Sequence, residues 1–480
     1  LINIAREVAA LTAAELKIPA VNIAESSANI NDYISVEIDA PDLCKRYTAR
    51  LVKNCKIMPS PEWLQEALIN SGIRPINNIV DITNYVLLET NQPLHAFDYN
   101  LLSDEKRILV RRAKNNEKFT TLDEVERKLD EDMLVITDGV RPVALAGIMG
   151  GLNTEINDDT TDVLIESAYF IGGNIRKTSR KLALRTDSSV RFEKGLDING
   201  IVYALNRAAQ LMQELAEGEV VGGICDAYPE LQEQLQVALR PERVNYLLGT
   251  EITPQEIKHY LRKLGLQMSE VDGTFLVEIP SYRPDITMEV DLIEEVARLY
   301  GYDNIPSSLP YGNTTQGGLN AFQKFRDTVK NILANYLHEV VNYSFINPVA
   351  FDRLSLPADS SLREVIKVAN PLSEEQSAMR TLLLPGLLEN ISKNLARKNE
   401  NLAFFEMGKV FYPSQESLPV EQEKIGTVVC GTSEINWLKN KVEMDFFYLK
   451  GIIEDLLAQL RIEKCEFVQA EKTAYHPGRT

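Results

Sequence analysis

RILVRRA (residues 107–113), DMLVITD (132–138), PVALAGIMG (142–150) and DVLIESAYF (162–170) are the stretches that decide the fold. Each is a short apolar or alternating run, and Gly, Asp and Asn punctuate the gaps, as in a mixed sheet whose loops carry function. Upstream, ISVEI (34–38) and YTARLV (47–52) have the same strand character. Two helical patterns lie between these and the later strands: PEWLQEALINSG (61–72), started by Pro61 and stopped by Gly72, and NNIVDITNYVLLE (77–89). Together they predict an α+β domain over residues 33–230. The preceding segment, 1–32, reads as a helix belonging to an upstream domain, LINIAREVAALTAAEL (1–16), followed by a polar linker, AESSANINDY (24–33).

A second domain is expected over 236–311. RPERVNYLLG (240–249) is a short helix, Thr253 to Glu256 form a capping box that opens another, and Gly265 closes it. LQMSEVDGTFLVEIP (266–280) then reads as two strands around an Asp272-Gly273 turn. Helix, turn, helix, hairpin is the order of a winged-helix module, which serves nucleic-acid binding and plain scaffolding alike. In the next helix, Ile286, Val290, Ile293, Ala297 and Tyr300 share one face, while Asp291, Glu294, Glu295 and Arg298 share another; Asp285 lies just before it. Such a group of oxygens suits a hard cation such as magnesium. It also suits a helix whose early acids offset the dipole and whose Glu294 pairs with Arg298.

The third domain, over 318–480, has a long helix (322–340), a strand-like VVNYSFIN (340–347), a helix around LPGLLENISKNLAR (384–397), and the strands LAFFEMGKVFYP (402–413) and IGTVVCGT (425–432). This predicts an antiparallel sheet flanked by helices. The region contains no P-loop, no dinucleotide fingerprint and no zinc-protease motif.

The 480 residues, 44% hydrophobic and 25% charged, have the composition of a globular protein of about three domains. No apolar run is long enough for a membrane helix. The five cysteines, Cys44, Cys55, Cys225, Cys430 and Cys465, form no zinc or disulfide pattern, which fits a reducing cytoplasm. With no initiator Met and no signal-peptide features at Leu1, the chain reads as an internal piece of a longer protein. A net charge of −18 disfavours general binding of nucleic acid, so any RNA contact must be local. The one basic run, Arg176, Lys177, Arg180, Lys181, Arg185, Arg191 and Lys194, faces only Asp187 and Glu193 in sequence.

Five long strings occur in order: NNIVDITNYVLLETNQPLHAFD (77–98), LAGIMGG (145–151), ESAYF (166–170) with LALRTDSSVRFEKGLD (182–197), IPSYRPDITMEVDLIEEVARLYGYDNIP (279–306), and LAFFEMGKVF (402–411) with AYHPGR (474–479). In this order the chain resembles the beta subunit of bacterial-type phenylalanyl-tRNA synthetase. The resemblance implies an α2β2 enzyme whose alpha subunit uses ATP to join phenylalanine to tRNA(Phe), and whose beta subunit edits tyrosyl-tRNA(Phe) by hydrolysis. Editing is needed because a pocket shaped for phenylalanine cannot strongly reject an analogue that only adds a hydroxyl.

The same resemblance makes Glu166 the reader of the tyrosine phenol through a charge-assisted hydrogen bond. It places Thr186 and Ser188 beside the ester, Gly147 and Gly150 in the pocket wall, and His95 near the attacking water or the terminal ribose. Asp285, Asp291, Glu294 and Glu295 become ligands of a magnesium ion shared with the alpha subunit, and residues 318–480 a class II catalytic fold without its catalytic residues. The family's oligonucleotide-binding-fold domain and its anticodon-binding-like domain are not in this chain. No Ser-His-Asp or Cys-His set is visible, so direct attack of water is expected. A departure at Ser188, where the family often has Ala, supports a rival reading as a non-catalytic scaffold and tRNA-binding subunit with a decayed pocket.

Overall fold

A computed structural model describes residues 1–309, 312–313, 315–433, 441–470, 472 and 474–476. The end of the AYHPGR string lies outside the described residues. The chain forms two compact units, Leu1–Pro310 and Tyr311–Thr480, and both mix helices with several sheets.

The strands of the first unit are, in chain order, β1 (Glu25–Asn29), β2 (Ser35–Ile38), β3 (Cys44–Lys53), β4 (Leu94–Asp98), β5 (Arg107–Arg112), β6 (Glu117–Thr120), β7 (Glu126–Leu129) and β8 (Leu134–Thr137). They continue with β9 (Pro142–Leu145), β10 (Met149–Gly150), β11 (Val163–Phe170), β12 (Glu219–Gly222), β13 (Cys225–Ala227), β14 (Gln236–Leu239), β15 (Gln267–Val271) and β16 (Thr274–Glu278). Its helices are α1 (Ile2–Thr12), α2 (Glu62–Asn70), α3 (Asn78–Thr90), α4 (Gly172–Lys181), α5 (Asp187–Lys194), α6 (Gly200–Leu215), α7 (Pro241–Leu248), α8 (Pro254–Lys263) and α9 (Glu289–Tyr300).

Two sheets and a helical layer build the first part of this unit. One sheet runs β1-β12-β3-β11-β4 with β13 also on β3; the other runs β10-β9-β8-β5-β2. Because side chains alternate across a strand, β3 and β11 each serve two cores. Tyr47, Ala49, Leu51, Leu164 and Ala168 pack with Ile108, Val110, Val135 and Ile136 of the facing sheet. Val52, Val163 and Ile165 pack instead with Ile79, Ile82 and Val86 of α3 and with Ala204, Leu205, Ala208 and Met212 of α6. The expected strands are all present, but Glu25–Asn29, read as part of a linker, pairs in parallel with β12 as an edge strand of the first sheet. Arg50, almost fully buried on β3, holds it there through Glu25. Nor is α1 detached, since Ala10 joins the core of residues 237–296.

In that second core, the Thr253 capping box forms as expected, and the Asp272-Gly273 turn has φ of +49° and +76°, the left-handed geometry of a tight hairpin. β14, absent from the sequence reading, pairs with β16 as a third strand. On α9 the buried stripe is Leu292, Ile293, Val296 and Ala297, whereas Val290, expected among them, is exposed.

In the second unit, β17 (His338–Glu339), Leu402–Tyr412 and Val420–Cys430 form a sheet in which the last two pair antiparallel over eleven registered positions and β17 joins in parallel. VVNYSFIN forms no long strand, only the two-residue segments His338–Glu339 before it and Phe345–Ile346 within it. One face of the sheet takes Val329, Leu333, Ile452 and Leu456 from two helices, and the other takes Leu383 and Leu387. Among the described residues no helix is long and apolar enough to cross a membrane.

Thr253→Ala removes the side-chain half of the α8 cap and is expected to cost about 1 kcal/mol. A lower thermal midpoint of the first unit, with an unchanged circular dichroism spectrum at 25 °C, is the measurement that checks it.

Candidate active site

Glu166 sits in the middle of β11, not at a strand end, and its Cα pairs with Ala49 of β3 on one side and His95 of β4 on the other. It therefore points between the two sheets, with His95 beside it. Both line a cavity of about 280 Å³, whose wall includes Ile136 and Ala144 of the facing sheet and Val80 and Asn84 of α3. Gly147, Ile148, Met149 and Gly150 supply one side, and Ser188 and Phe192 of α5 another. Most of the expected pocket residues are thus brought to one place.

Thr186 is the exception. It does not line the cavity: its hydroxyl accepts from the Ser189 amide as the cap of α5 and donates to the Ile148 carbonyl at 2.8 Å. A hydroxyl committed twice is a tether between α5 and the 147–150 wall rather than a group free for water. The two glycines lie in the cavity wall, and each also makes room for neighbouring side chains. A Cβ on Gly150 would lie 2.3 Å from the His95 ring, so this glycine makes room for the imidazole. Gly147 has φ of +66°, and a Cβ there would press on Phe192, Ile175 and Phe170.

Electrostatics follows from enclosure. Glu166 is 6% exposed and its Oε2 has no hydrogen-bond partner, so burial pushes the carboxyl up to about 8, only partly opposed by the phenol of the fully buried Tyr47. At neutral pH it is a neutral acid, able to donate as well as accept, in place of the charged acceptor expected from sequence. Burial moves His95 the other way, down to about 4, and its ring meets Phe97 edge-on at 4.5 Å between centroids. The cavity holds a neutral acid and a neutral imidazole side by side. Sequence reasoning missed Asn84, Glu155 and Tyr47. Asn84 sat inside a quoted helix without a chemical signal, and Glu155, exposed in a loop, had no pattern to mark it.

The basic run lies on α4, α5 and, at Arg185, the segment between them, and four of its members are already paired. Arg176 meets Glu193 at 3.1 Å, Lys177 meets Asp132 at 2.7 Å, Arg191 meets Asp187 at 2.7 Å, and Lys181 bonds Asp130. Asp130 and Asp132 come from the loop before β8, a neutralisation that linear spacing did not reveal. Gly173, Arg176, Lys177, Arg180 and Lys181 line one open groove.

The four acidic residues around α9 do not converge on a metal-sized site. Asp291 accepts from the amides of Thr287 and Met288 as a cap, and Asp285 is bound to Arg283 at 2.6 Å. Glu295 lies between Arg283 and Arg298, at 3.0 and 2.6 Å; burial would raise it, but the two guanidiniums outweigh that and hold it below its ordinary value. Glu294 is exposed, and Arg298 pairs with Glu295 and Glu7 rather than with Glu294. Among the described residues no group of three or more His, Cys, Asp or Glu is arranged to hold a metal ion. This chain by itself does not fit magnesium here, because the positive charge is supplied by two arginines.

Three family models match: a B3/4 domain over residues 43–217, a tRNA synthetase B5 domain over 237–302, and the phenylalanyl tRNA synthetase beta chain CLM domain over 305–480. The matched domains are those of an aminoacyl-tRNA synthetase subunit. The phenylalanine–tRNA ligase beta subunit of Moorella thermoacetica is 49% identical over 481 residues, covering 100% of this chain and 60% of that protein. Its counterpart in Carboxydothermus hydrogenoformans is 45% identical over 480 residues with the same coverage. The chain belongs to the phenylalanyl-tRNA synthetase beta-subunit family, and it spans about 60% of the length of these curated relatives. A solved N-terminal fragment of the Pyrococcus horikoshii beta subunit aligns at 16% identity and a TM-score of 0.32, over 62% of this chain and 81% of that one, too loosely to carry an argument.

The paired burial of Glu166 and His95 sets a pH dependence of stability. Between its usual 4.5 and about 8, Glu166 is protonated in the fold and ionised when unfolded, so stability falls as pH rises through that window. His95 is neutral in the fold and charged when unfolded between about 4 and its usual 6.5, so its effect has the opposite sign. The two cancel between 4.5 and 6.5. From pH 6.5 to 8 Glu166 dominates, and a net loss of about 1 kcal/mol is expected. Thermal midpoints of the first unit across this range, for the native chain and for Glu166→Gln, check it: the variant should lose the decline.

Proposed function

We propose that this chain is the proofreading and scaffolding part of a phenylalanine–tRNA ligase, and that its cavity hydrolyses tyrosyl-tRNA(Phe). The observation that carries this reading is a cavity large enough for one aromatic side chain, lined by Glu166, a buried carboxyl whose Oε2 has no hydrogen-bond partner. An unpaired buried polar atom is costly, and a phenol hydroxyl would satisfy it where a phenyl ring leaves it unpaired. Neutral Glu166 accepts the phenol proton through its carbonyl oxygen or donates to the phenol oxygen, so recognition needs no charge on either partner.

The reaction is attack of water on the aminoacyl ester. The carbonyl carbon gains the water oxygen, the ester C–O bond breaks, the terminal ribose hydroxyl of the tRNA leaves with a proton, and tyrosine is freed. His95, neutral at physiological pH and fixed by the gap at Gly150, orients that water through one ring nitrogen. Ser188, at the start of α5, lies on the ester side of the cavity beside a helix N-terminus that favours developing negative charge. The paired basic helices α4 and α5 would meet the acceptor end of the tRNA mainly through Arg180, Arg185 and Lys194, which have no ion pair among the described residues.

The other assignments belong to the same proposal. Residues 236–311 act as a winged-helix-like scaffold, and residues 318–480 as an inactive class II catalytic-like domain. They assemble with an alpha subunit as α2β2 in the cytoplasm, with ATP consumed at the alpha site. Magnesium at α9 would require ligands from that partner and release of Glu295 from its arginines.

In the intact ligase, deacylation of tyrosyl-tRNA(Phe) followed by release of labelled tyrosine tests the reading. Glu166→Ala should lower it by about 10-fold to 100-fold, the value of a lost buried hydrogen bond, while phenylalanyl-tRNA(Phe) is little affected. Gly150→Ala should lower turnover by displacing His95. Normal deacylation by both variants would refute the assignment.

A further inference from the structure

Charge is distributed unevenly in this cavity. Among the described residues its lining contains no lysine and no arginine, and its only histidine is held neutral by burial. The remaining ionisable groups are Glu166, buried, and Glu155, exposed. Glu155 forms no ion pair and no side-chain hydrogen bond among the described residues, so its carboxylate is not committed to a protein partner. Nor is it on a loose segment: its neighbours Thr154 and Ile156 are both buried, which anchors the backbone on either side of a residue that lines the cavity.

An occupant with a phosphate or a free carboxylate would find no cation here. An occupant with an ammonium group would find one carboxylate waiting at the rim and an apolar interior for the rest of its body. An aminoacyl ester fits that description, because esterification removes the carboxylate and leaves the α-ammonium as its only charge. We propose that Glu155 pairs with the free α-ammonium of the aminoacyl group whose ring lies against Glu166, making it a second specificity-determining residue at the opposite end of the ligand. This rests on the hydrolase reading above. Hydrolysis creates a carboxylate in a cavity without cations, so the same arrangement favours release of the freed amino acid over its retention.

The test is binding to the intact ligase of a 3′-amide-linked tyrosyl-adenosine, which cannot be hydrolysed, and of its N-acetyl derivative, measured by calorimetry. For the native protein the free amine should bind about fivefold more tightly, the size expected of a solvent-accessible ion pair. Glu155→Gln should remove the preference by weakening only the free amine, and Glu155→Asp should keep part of it. Retention of the full preference in Glu155→Gln would overturn the proposal, as would equal binding of both compounds to the native protein. Binding of the amide with no deacylation of tyrosyl-tRNA(Phe) would instead overturn the hydrolase reading and leave the ammonium contact standing; failure of both compounds to bind overturns both.

Discussion

A carboxyl group enclosed between two sheets is the constraint around which the first unit is organised. Glu166 could have been placed on the other face of β11 by a shift of one residue, where it would have met the apolar faces of α3 and α6. Instead the register with β3 and β4 puts it beside His95, over an opening that the facing sheet does not fill. Keeping both groups neutral avoids the much larger cost of burying charge. It also leaves Oε2 of Glu166 buried without a hydrogen-bond partner.

Much of this was legible before any coordinates. The strands 132–138, 142–150 and 162–170 announced themselves because burial on both faces demands apolar runs, 107–113 because one buried face leaves an alternating pattern, and the α8 cap and the 272–273 turn because local chemistry fixes them. What stayed hidden was set by distant partners. β1 has the polar sequence ESSAN and becomes a strand only because β12 and Arg50 hold it. Helix α6 carried its signal, with apolar residues at 201, 204, 205, 208, 209 and 212, but no side-chain cap marks its start and its small alanines make a weak stripe.

The candidate site shows the same division. Family strings located Glu166, His95, Gly147, Gly150 and Ser188, and the structure gathers these around one opening. They could not show that Gly150 makes room for an imidazole, that Thr186 commits its hydroxyl to a cap and to the Ile148 carbonyl, or that burial pushes the Glu166 carboxyl up to about 8. Each depends on burial and on contacts between residues far apart in sequence. The carboxylates of α9 make the converse point. Helical spacing alone suggested a cation site, while the fold commits Asp291 to a cap and Glu295 to two guanidiniums.

The double engagement of Thr186 has a mechanical outcome. Its hydroxyl clamps the first turn of α5 to the carbonyl of Ile148, and the ring of Phe192 further along α5 closes against the space over Gly147. Helix and wall therefore behave as one jaw. A displacement of Ser188 away from the sheet would carry the 147–150 wall with it, because the two are tied at the Thr186–Ile148 hydrogen bond.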